Sequence, residues 1–439
     1  MRRYLKQADA VLASKAKASV EVTVREMIAR IAEERDTAVI DFAKNLDKWE
    51  SGTFRVSDDE IAEVGRKLPE TFKEDFAICQ HNVEEFAKRQ LDSMSEFEDD
   101  ILPGVTLGQK LIPVNAVGCY IPGGKYSLVS AAIMSVGTAK VAGVNHVIGC
   151  APPRDGKAIF PATLYGLHAA GADEIYCIGG VQALAAMAYG CVGMKPVDMV
   201  TGPGNAYVAE AKRQLYGTVG IDLLAGPTEI CVIADETADA DLVATDLLGQ
   251  AEHGPESPAW LITTSEELGK AVIEKVEEQL ETLATRDMAE PAWRDFGEVI
   301  VVDSDDEAIE VSDEYAPEHL EVQTARDGYY LEHLKNYGSL FVGEESTVAY
   351  GDKGVGTNHT LPTGRAARYT GGLWVGKFIK TVTYQRLTKE ASRKLAPPLA
   401  RMCEVEGLIA HGITCDVRFG RYAPPNEKQA PEKTDAPSI

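Results

Sequence analysis

VNAVGCYIPGGKYSLVSAAIMSVGTAKVAGVNHVIGCA, residues 114–151, is the stretch that decides the fold of this chain. A short apolar run from Val114 to Ile121 leads through a glycine turn into an alanine-rich helical pattern from Ser127 to Ala142. A second apolar run, His146 to Ala151, follows. A strand, a helix and a strand at this spacing predict two parallel strands of one sheet, wrapped by helices.

The same alternation continues to both sides of residue 220. Up to that point the pattern predicts helices at Phe160–Ala170, Val181–Tyr189 and Asn205–Tyr216, with strands at Glu174–Gly179 and Val197–Val200. After a crossover from Gly220 to Pro227 it predicts strands near Ile230–Ala234, Ala259–Thr264, Val299–Val302 and Ser339–Val342, and helices near Asp239–His253, Glu266–Leu283 and Ser304–Tyr315. The chain is therefore expected to be an α/β protein with two doubly wound halves.

The two ends of the chain differ from this centre. Residues from about 20 to 100 have apolar side chains at helical spacing, and the chain after about 371 reads as helical on either side of Pro397-Pro398, up to Gly407. Residues 423–439 form a tail of Pro, Lys, Glu and Asp with too little apolar surface to fold, so we expect disorder there.

Composition narrows the class of protein. The chain has 439 residues, 45% hydrophobic and 26% charged, with a net charge of -24. This charge repels nucleic acid and anionic membranes, so neither is an expected partner. Eight scattered cysteines without a CxxC pair indicate reduced core thiols. With no signal peptide pattern and no membrane-length apolar run, we expect a soluble cytoplasmic protein.

Several polar side chains have the chemistry of a zinc site. Gln250 and His253 stand three apart on a predicted helix, so they share one face, and Gly254-Pro255 ends that helix with His253 in its last turn. The other candidate ligands are Asp352, His359 and His411. Taken singly, Asp352, His359 and His411 each fit a structural role better than a ligand role: a capped loop, an anchored turn and a surface histidine.

An acid and an imidazole stand side by side in Ala316-Pro317-Glu318-His319. Pro317 fits the first position of a helix, where free backbone amides favour a carboxylate and disfavour an imidazolium. A neutral imidazole beside an ionised glutamate suits general-base catalysis near pH 7. The alternative is that these residues form only the first turn of a helix.

Three glycine turns follow predicted strands and precede predicted helices. They are Tyr120-Ile121-Pro122-Gly123-Gly124, Gly179-Gly180, and Gly202-Pro203-Gly204-Asn205. This is the position where open α/β sheets bind ligands and where helix amides hold phosphate. None has the GxGxxG spacing, so simple tight turns remain the alternative.

Six motifs together resemble the histidinol dehydrogenase family. They are Gly118-Cys119-Tyr120-Ile121-Pro122-Gly123-Gly124, Thr201-Gly202-Pro203-Gly204-Asn205, Ala225-Gly226-Pro227-Thr228-Glu229, Gln250-Ala251-Glu252-His253-Gly254, Ala316-Pro317-Glu318-His319-Leu320 and Gly356-Thr357-Asn358-His359. The resemblance implies a homodimeric zinc enzyme with two Rossmann-like domains and terminal arms exchanged between subunits. It also implies oxidation of a primary alcohol to a carboxylate with two NAD molecules.

The resemblance also implies a role for each matching residue. Zinc, one ion per subunit, would be held by Gln250, His253 and Asp352 of one subunit and by His411 of its partner. The catalytic pair would be Glu318 and His319. The NAD contacts would be Tyr120, Gln182 and Asn205, and the substrate side would include Thr228, His359 and Glu406 beside the zinc ligands and His319.

The domain boundaries expected on this basis are discontinuous. Residues 1–19 form an N-terminal arm, 20–111 and 229–370 a first α/β domain with its helical section, and 112–228 a second α/β domain that binds NAD. Residues 371–422 form a C-terminal dimerisation arm, followed by the tail. A non-catalytic, nucleotide-binding dimer is the remaining alternative, although it would require a broken set of ligands.

The loop after Asn358-His359 suggests the substrate. Nine Lys or Arg and two acids lie between Asp352 and Lys394, in a protein that is otherwise strongly acidic. Tyr4-Leu5-Lys6 and the run from Arg368 to Phe378 resemble the sulfopropanediol 3-dehydrogenase branch, which converts 2,3-dihydroxypropane-1-sulfonate to 3-sulfolactate. Thr228 stands where histidinol enzymes usually have serine. An anionic alcohol is therefore the favoured substrate, with Arg365, Arg368 and Lys377 as candidate sulfonate contacts, and histidinol is the alternative.

Overall fold

The computed structural model describes residues 2–8, 17–49, 51–124 and 126–424. They form two compact units. The main unit contains the described residues up to Asp92 and the segment Pro113–Phe378, whereas the arm unit contains Ser93–Ile112 and the described residues from Ile379 onward. Among the described residues, no helix is long and apolar enough to cross a bilayer. The part of the expected tail from residue 425 onward lies outside the described residues.

The N-terminal region is largely helical, as predicted, but it includes three strands. Its elements are β1 (Arg3–Lys6), α1 (Lys17–Glu34), α2 (Asp36–Phe42), α3 (Asp58–Lys67), α4 (Glu70–Asp92), β2 (Phe97–Leu102) and β3 (Val105–Pro113). The start of α3 shows why the chain is helical here. Ser57 accepts a hydrogen bond from the backbone of Glu60 at 3.3 Å, and the Glu60 carboxylate accepts one from the backbone of Ser57 at 2.8 Å.

The first parallel sheet follows. Its region contains β4 (Ala116–Tyr120), α5 (Ser130–Ala132), α6 (Thr138–Val141), β5 (His146–Ala151), β6 (Pro153–Arg154), β7 (Ala158–Ile159), α7 (Pro161–Ala169), β8 (Glu174–Cys177), α8 (Gly180–Tyr189), β9 (Met199–Thr201), α9 (Ala206–Leu215) and β10 (Gly220–Ile221). The strand order is β10-β9-β4-β5-β8, and all pairs are parallel. This is the order of a Rossmann sheet, and its switch point lies between β4 and β9.

The second parallel sheet repeats that order. Its region contains β11 (Ile230–Ala234), α10 (Ala240–Ala251), β12 (Ala259–Thr263), α11 (Glu266–Thr282), α12 (Arg286–Phe296), β13 (Glu298–Val301), α13 (Asp305–Tyr315), β14 (His319–Gln323), α14 (Asp327–His333), β15 (Ser339–Val342) and α15 (Val348–Lys353). The order is β13-β12-β11-β14-β15, with β1 added antiparallel to β13. The predicted α/β class with two parallel sheets is confirmed.

Alternate residues of β11 show that helices cover both faces of the second sheet. Ile230 and Val232 are buried in a core with α10, α11 and α12, whereas Cys231 and Ile233 are buried in a core with α13 and α14. Strands that are buried on both faces read as unbroken apolar runs, which is why this segment was recognisable in the sequence.

The segment Pro317-Glu318-His319 is not the start of a helix, so that prediction is wrong. The preceding helix α13 ends with Ala316 in the left-handed region at φ 48°. His319 then begins β14, which pairs in parallel with β11 and β15. The proline follows a helix end instead of opening a helix, because the chain after it is buried between two strands.

The arm unit is also more mixed than predicted. It contains β2 and β3, then β16 (Ile379–Leu387), α16 (Lys389–Val405) and α17 (Ile409–Tyr422). The three strands form one sheet in the order β16-β3-β2. The helical pattern predicted after residue 371 did not indicate β16. The helical pattern predicted up to about residue 100 did not indicate β2 or the β3 strand that follows it. Pro397 and Pro398 lie inside α16 and do not end it.

Candidate functional site

Two glutamates meet at the amino ends of adjacent strands in the second sheet. Glu229 precedes β11 and Glu318 precedes β14; they are 5% exposed each. Oε2 of Glu318 accepts hydrogen bonds from Oγ1 of Thr228 and from the backbone nitrogen of Glu229, the latter at 3.0 Å. Burial, and then the charge of Glu318, raise the pKa of Glu229 to about 8.

His319 lies beside these carboxylates and is 2% exposed. Its Nδ1 is 3.1 Å from the carbonyl oxygen of Glu229 and 3.4 Å from Oε2 of Glu318, while Nε2 is 3.6 Å from Oδ1 of Asp352. Burial lowers the pKa of the imidazole, but the carboxylates of Glu318 and Asp352 outweigh burial and raise it to about 10. Because a carbonyl oxygen only accepts, Nδ1 donates, and Nε2 is the nitrogen available for proton exchange.

Asp352 lies in the last turn of α15 and is 9% exposed. Burial disfavours its charge, but nearby positive charge, chiefly that of His319, outweighs burial and lowers its pKa. The carbonyl oxygen of Asp352 is 2.9 Å from Nδ1 of His359, and burial lowers the pKa of the His359 imidazole. His359 is therefore neutral, with Nδ1 as donor and Nε2 as acceptor.

Gln250 and His253 approach the same site from α10. The Gln250 side chain is 2% exposed, and its Nε2 contacts Oγ1 of Thr228 and lies 3.3 Å from Nδ1 of His319. The helix ends at Ala251, so His253 lies in the turn just beyond it, not in the last helical turn as predicted. Burial lowers the pKa of His253, and the charge of Asp352 opposes that shift.

These donors fit a zinc ion in type. An amide oxygen, an imidazole and a carboxylate come from Gln250, His253 and Asp352, and zinc binds nitrogen and oxygen donors. Within the described chain, the Nε2 atoms of His319 and His359 are buried without a hydrogen-bond partner. No three His, Cys, Asp or Glu side chains of the described residues form a ready metal cluster.

His411 and Glu406 lie in the arm unit. Glu406 follows the last residue of α16, and His411 stands in the first turn of α17; both side chains are exposed. Their assignment to the site of a second subunit stays a prediction, as does the exchange of the N-terminal arm. In the chain itself, β1 pairs with β13 of the same chain.

The switch point of the first sheet is formed by two of the glycine turns. Gly202 follows β9 with a φ of 124°, a left-handed conformation that favours glycine. A Cβ atom on Gly202 would lie 2.1 Å from the carbonyl oxygen of Tyr120, at the end of β4. The two turns are thus in direct contact at the position where open α/β sheets bind dinucleotides.

A buried ion pair holds the Gly202 turn from behind. Nζ of Lys212 lies 2.5 Å from Oδ1 of Asp222, and both side chains are at most 1% exposed. The same Nζ donates to the carbonyl oxygen of Gly202 at 2.9 Å, and the other carboxylate oxygen of Asp222 accepts from the backbone nitrogen of Gly202 at 2.9 Å. Both backbone polar groups of Gly202 are therefore fixed.

The three predicted NAD residues lie around these turns. The Tyr120 hydroxyl accepts from the backbone nitrogen of Gly180 at 3.3 Å, and burial raises its pKa to about 12. Gln182 is 1% exposed and donates to Asp47 at 3.0 Å. Asn205 caps α9 through Oδ1, which accepts from the backbone nitrogens of Tyr207 and Val208. Asp47 also accepts from Gly179, so an acid of the chain itself occupies the start of α8.

The basic loop is attached to the glutamate site. Oγ1 of Thr363 accepts from the backbone nitrogen of Gly226 at 2.6 Å, and the backbone nitrogen of Gly364 donates to Oε1 of Glu229 at 3.2 Å. Arg365 and Arg368 follow directly and are exposed, whereas Lys377 is half-buried and donates to Thr370 at 2.9 Å.

Sequence reasoning missed several polar residues around the site. The sequence motifs include Glu229 without indicating a role for it, and they do not contain Asp47, Lys212, Asp222 or Glu321. A usable signal existed for Glu321, because an acid in the apolar run His-Leu-Glu-Val-Gln is unusual for a strand buried on both faces. Lys212 gave no such signal, since a lysine in an amphipathic helix is ordinarily exposed.

Two Rossmann-ordered sheets with a histidine and carboxylate site are the features of a dinucleotide-dependent α/β oxidoreductase. Known proteins agree with that class. The family model for histidinol dehydrogenase matches residues 12–419. A histidinol dehydrogenase homolog from Shouchella clausii (strain KSM-K16) is 52% identical over 423 residues, covering 96% of this chain and 100% of the relative.

Two further relatives bear on the substrate. Sulfopropanediol 3-dehydrogenase from Ruegeria pomeroyi (strain ATCC 700808 / DSM 15171 / DSS-3) is 48% identical over 424 residues, covering 96% of this chain and 97% of the relative. The crystal structure of histidinol dehydrogenase from Elizabethkingia anophelis has a TM-score of 0.87 and 35% identity, covering 94% of both chains. This chain belongs to the histidinol dehydrogenase family, whose members are NAD-dependent oxidoreductases acting on CH–OH donors.

Proposed function

We propose that this protein is a zinc- and NAD-dependent dehydrogenase that oxidises a primary alcohol to a carboxylate in two hydride transfers. The favoured reaction converts 2,3-dihydroxypropane-1-sulfonate to 3-sulfolactate. The observation that supports the chemistry is the placement of His319, whose Nδ1 is tied to the backbone and whose Nε2 faces Asp352, beside Glu318 and Gln250.

Each step can be assigned to a side chain of the main unit. Nε2 of His319 would take the proton of the alcohol hydroxyl, which its backbone-bonded Nδ1 leaves it free to do. Glu318, held by Thr228 and the Glu229 amide, would then take a proton from the water that adds to the aldehyde. When bound, zinc would polarise the substrate oxygen, and two NAD molecules would in turn accept the two hydrides.

The charge state of His319 is consistent with this role when an ion is bound. Glu318 and Asp352 favour the imidazolium in the protein alone. A divalent ion bound to Asp352 would neutralise that carboxylate, so Asp352 would no longer raise the pKa of His319. The imidazole would then return toward the neutral form that a base requires.

The choice of a sulfonate rests on the basic loop. Thr363 and Gly364 bind the Gly226 and Glu229 segment, so the loop that contains Arg365 begins at the wall of the catalytic site. Guanidinium groups recognise planar or tetrahedral oxyanions through paired hydrogen bonds. The sulfopropanediol relative at 48% identity supports the same reading.

Histidinol is the second candidate. The solved relative at 35% identity is a histidinol dehydrogenase, and the site itself contains acidic side chains. The carboxylates of Glu318 and Asp352 would attract a substrate with a protonated amine. The two candidates therefore differ in the interaction that would bind them. A sulfonate would bind the basic loop, whereas the ammonium group of histidinol would bind the buried carboxylates.

A homodimer with a shared site is part of the proposal. The two arm helices α16 and α17 pack against each other and still expose a row of apolar side chains, at 49% to 61%: Leu399, Met402, Val405, Ile409, Ile413 and Val417. A row of this kind on one helical hairpin marks an interaction surface. The hairpin also contains Glu406 and His411, so a partner seated on it would receive both residues near its own site.

The deciding experiment compares NADH formation with histidinol and with 2,3-dihydroxypropane-1-sulfonate under the same conditions. We expect turnover of the sulfonate, with two NADH per substrate and one zinc per chain in the purified protein. Turnover of histidinol alone would reject the sulfonate. Zinc-free protein that binds NAD without turning over either alcohol would support a non-catalytic dimer instead.

A matched pair of variants tests the charge argument. Arg365→Ala should raise the KM for the sulfonate alcohol by at least an order of magnitude while zinc content stays at one per chain. Arg66→Ala, on exposed α3, is the control for loss of a surface arginine. Equal effects of the two variants would remove the basis for a sulfonate contact at Arg365.

A further inference from the structure

A carboxylate from outside the first sheet lies at the carboxyl edge of that sheet. Asp47 is the last residue of a π-helical turn, Ala43–Asp47, that follows α2. Its Oδ2 accepts hydrogen bonds from the backbone nitrogen of Gly179 at 3.1 Å and from Nε2 of Gln182 at 3.0 Å. Gly179 lies between β8 and α8, so Asp47 is at the carboxyl end of β8.

The same carboxylate is close to the end of the neighbouring strand. A Cβ atom on Gly179 would lie 3.0 Å from Oδ1 of Asp47 and 2.6 Å from Cβ of Pro152, the residue after β5. Within the part of the chain that the structure describes, Oδ1 accepts no hydrogen bond, and Asp47 is only half-buried. One oxygen of Asp47 therefore binds the chain, and the other is available to a ligand.

Contacts with the sheet fix the position of Asp47. The next residue, Lys48, has a left-handed backbone at φ 57°. A Cβ atom on Gly156, in the turn between β6 and β7, would lie 2.6 Å from the carbonyl oxygen of Lys48. The Tyr120 hydroxyl at the end of β4 accepts from the backbone nitrogen of Gly180 at 3.3 Å, beside the glycine that binds Asp47. The carboxyl ends of β4, β5 and β8 thus meet around this side chain.

This is the place where Rossmann domains distinguish two dinucleotides. From the switch point outward the sheet runs β4, β5, β8, which is one mononucleotide-binding half. In such a half an acid beyond the second strand binds the ribose 2′-hydroxyl of NAD, whereas an arginine accommodates the 2′-phosphate of NADP. The second strand here is β5, and it is followed by Pro152 and Pro153. The acid at this position comes instead from the helical region before the sheet.

The other charged groups of these segments are directed elsewhere. The Arg154 guanidinium lies over the ring of Phe160, 4.9 Å from its centre, and Nζ of Lys48 donates to the carbonyl oxygen of Asn45 at 2.7 Å. Asp155 is exposed in the turn between β6 and β7. The charge that contacts the end of β8 is therefore the negative charge of Asp47.

We propose that Asp47 selects NAD over NADP, because its free oxygen accepts a hydrogen bond from the adenosine ribose 2′-hydroxyl and its charge repels a 2′-phosphate. The proposal rests on the NAD-dependent chemistry proposed above and identifies the residue that determines the choice of cofactor. A hydroxyl that donates to a carboxylate forms a charge-assisted hydrogen bond. Discrimination against the second dinucleotide then comes from a repulsive group, as specific sites commonly arrange it.

The test compares the dissociation constants of NAD and NADP, measured by fluorescence titration of the purified full chain. The parent protein should bind NADP at least about 100-fold more weakly than NAD, and Asp47→Asn should reduce that ratio at least about tenfold. The variant keeps an oxygen that can accept from Gly179 and loses only the charge. The ratio is the informative quantity, since a purely structural loss would weaken both dinucleotides alike.

Two variants control for the loss of one negative charge. Asp36→Asn removes an acid that binds the backbone nitrogen of Val192 at 2.7 Å, beyond the other end of α8. Asp155→Asn removes the exposed acid that follows β5 more closely in the sequence. Both variants should keep the NADP to NAD ratio of the parent protein. A ratio that changes with Asp155→Asn and not with Asp47→Asn overturns the proposal.

A ligand series needs no variant, so it decides the matter even if Asp47→Asn does not fold. NAD that lacks the adenosine 2′-hydroxyl should bind the parent protein about tenfold more weakly than NAD, because it cannot donate to the carboxylate. Equal affinities for these two ligands, or equal affinities for NAD and NADP, reject the role of Asp47. A parent protein that binds neither dinucleotide overturns the NAD-dependent function, and this role with it.

Discussion

Replacement of Lys212 by methionine should destabilise the protein far more than a typical lysine substitution. Lys212 and Asp222 are at most 1% exposed, and the lysine nitrogen also binds the carbonyl oxygen of Gly202. Lys212→Met leaves the Asp222 carboxylate buried without its cation. Breaking one side of a buried ion pair in this way costs about 3–5 kcal/mol.

The matched control removes both charges. In the double variant Lys212→Met with Asp222→Leu no charge is left buried, so most of the lost stability should return. With an unfolding entropy of about 2 cal/mol/K per residue, a chain of this length loses about 1 °C per kcal/mol, so the single variant should unfold roughly 3–5 °C below the parent protein. The double variant should unfold within about 1 °C of the parent protein. Thermal unfolding followed by circular dichroism, with urea titration, measures both differences.

The double variant also separates stability from cofactor binding. It regains folding stability, but the backbone nitrogen and oxygen of Gly202 lose the two side chains that orient them. We therefore expect the dissociation constant for NAD to rise about tenfold while the KM for the alcohol changes little. The reasoning is refuted if Lys212→Met costs less than about 1 kcal/mol, a value typical of surface positions. Unchanged NAD affinity in the double variant would also contradict it.

Three further predictions concern the Gly202 turn, the titration of Glu229 and the number of NAD molecules bound per chain. Gly202→Ala should abolish NAD binding, measured by fluorescence titration, because its Cβ would lie 2.1 Å from the Tyr120 carbonyl oxygen. Burial and the charge of Glu318 raise the pKa of Glu229 to about 8, so its contribution to stability is full below about pH 4.5 and lost as the pH rises through 8. Unfolding titrations should show the parent protein losing stability relative to Glu229→Gln across that interval, and parallel curves would contradict the shift. Calorimetric titration should give one NAD per chain, and a value of two would exclude a single dinucleotide edge.

The two parallel sheets could be predicted because their strands are buried on both faces. Such strands give continuous apolar runs, as in Ile230–Ala234, and the glycine turns mark their carboxyl ends. The strands of the arm unit gave a weaker signal. β2 has all six residues exposed, and most of β16 is exposed, so neither shows the apolar pattern of a core strand.

The start of β14 was predicted wrongly for a different reason. Pro317 and Glu318 have the residue types of a first helical turn, and local preference alone supports a helix there. The structure instead places this segment in a strand between β11 and β15, with Leu320 and Val322 buried in the core under α13 and α14. Pairing with β11, ninety residues earlier in the chain, is a long-range contact that local pattern does not contain.

The types of residue in the site were visible in the sequence, but their convergence was not. Gln250, Glu318, His319 and Asp352 come from three elements separated by up to a hundred residues. Their approach depends on the strand order and on buried contacts such as those of Gln323 with Glu321 and Asp246. Those contacts involve acids that sequence reasoning expects on the surface, since an acid is rarely buried without a partner.

The two sheets use opposite ends of their strands, and this bears on how two hydride transfers could occur. In the first sheet the turns at Tyr120 and Gly202 lie at carboxyl ends, the usual dinucleotide edge. In the second sheet the proposed catalytic pair, Glu318 and His319, lies at the start of β14, while the carboxyl ends of β11 and β14 are followed by Asp235 and Asp327. These acids bind nearby backbone amides, among them the backbone nitrogen of Ala325 at 2.8 Å from Asp235. Negative charge at that edge opposes a pyrophosphate.

Two hydrogen bonds join the carboxyl edge of the first sheet to the amino edge of the second, where the proposed catalytic pair lies. The Tyr126 hydroxyl donates to the carbonyl oxygen of Glu252 at 3.1 Å, and Asn358 donates to the carbonyl oxygen of Met134 at 2.9 Å. A chain with one such edge can place one NAD against the substrate at a time. In the proposed reaction the reduced cofactor must then leave before the second hydride transfer, and the aldehyde must stay bound meanwhile. In that proposal Gln250, His319 and Asp352 would favour retention, because the same side chains would contact both the alcohol and the aldehyde.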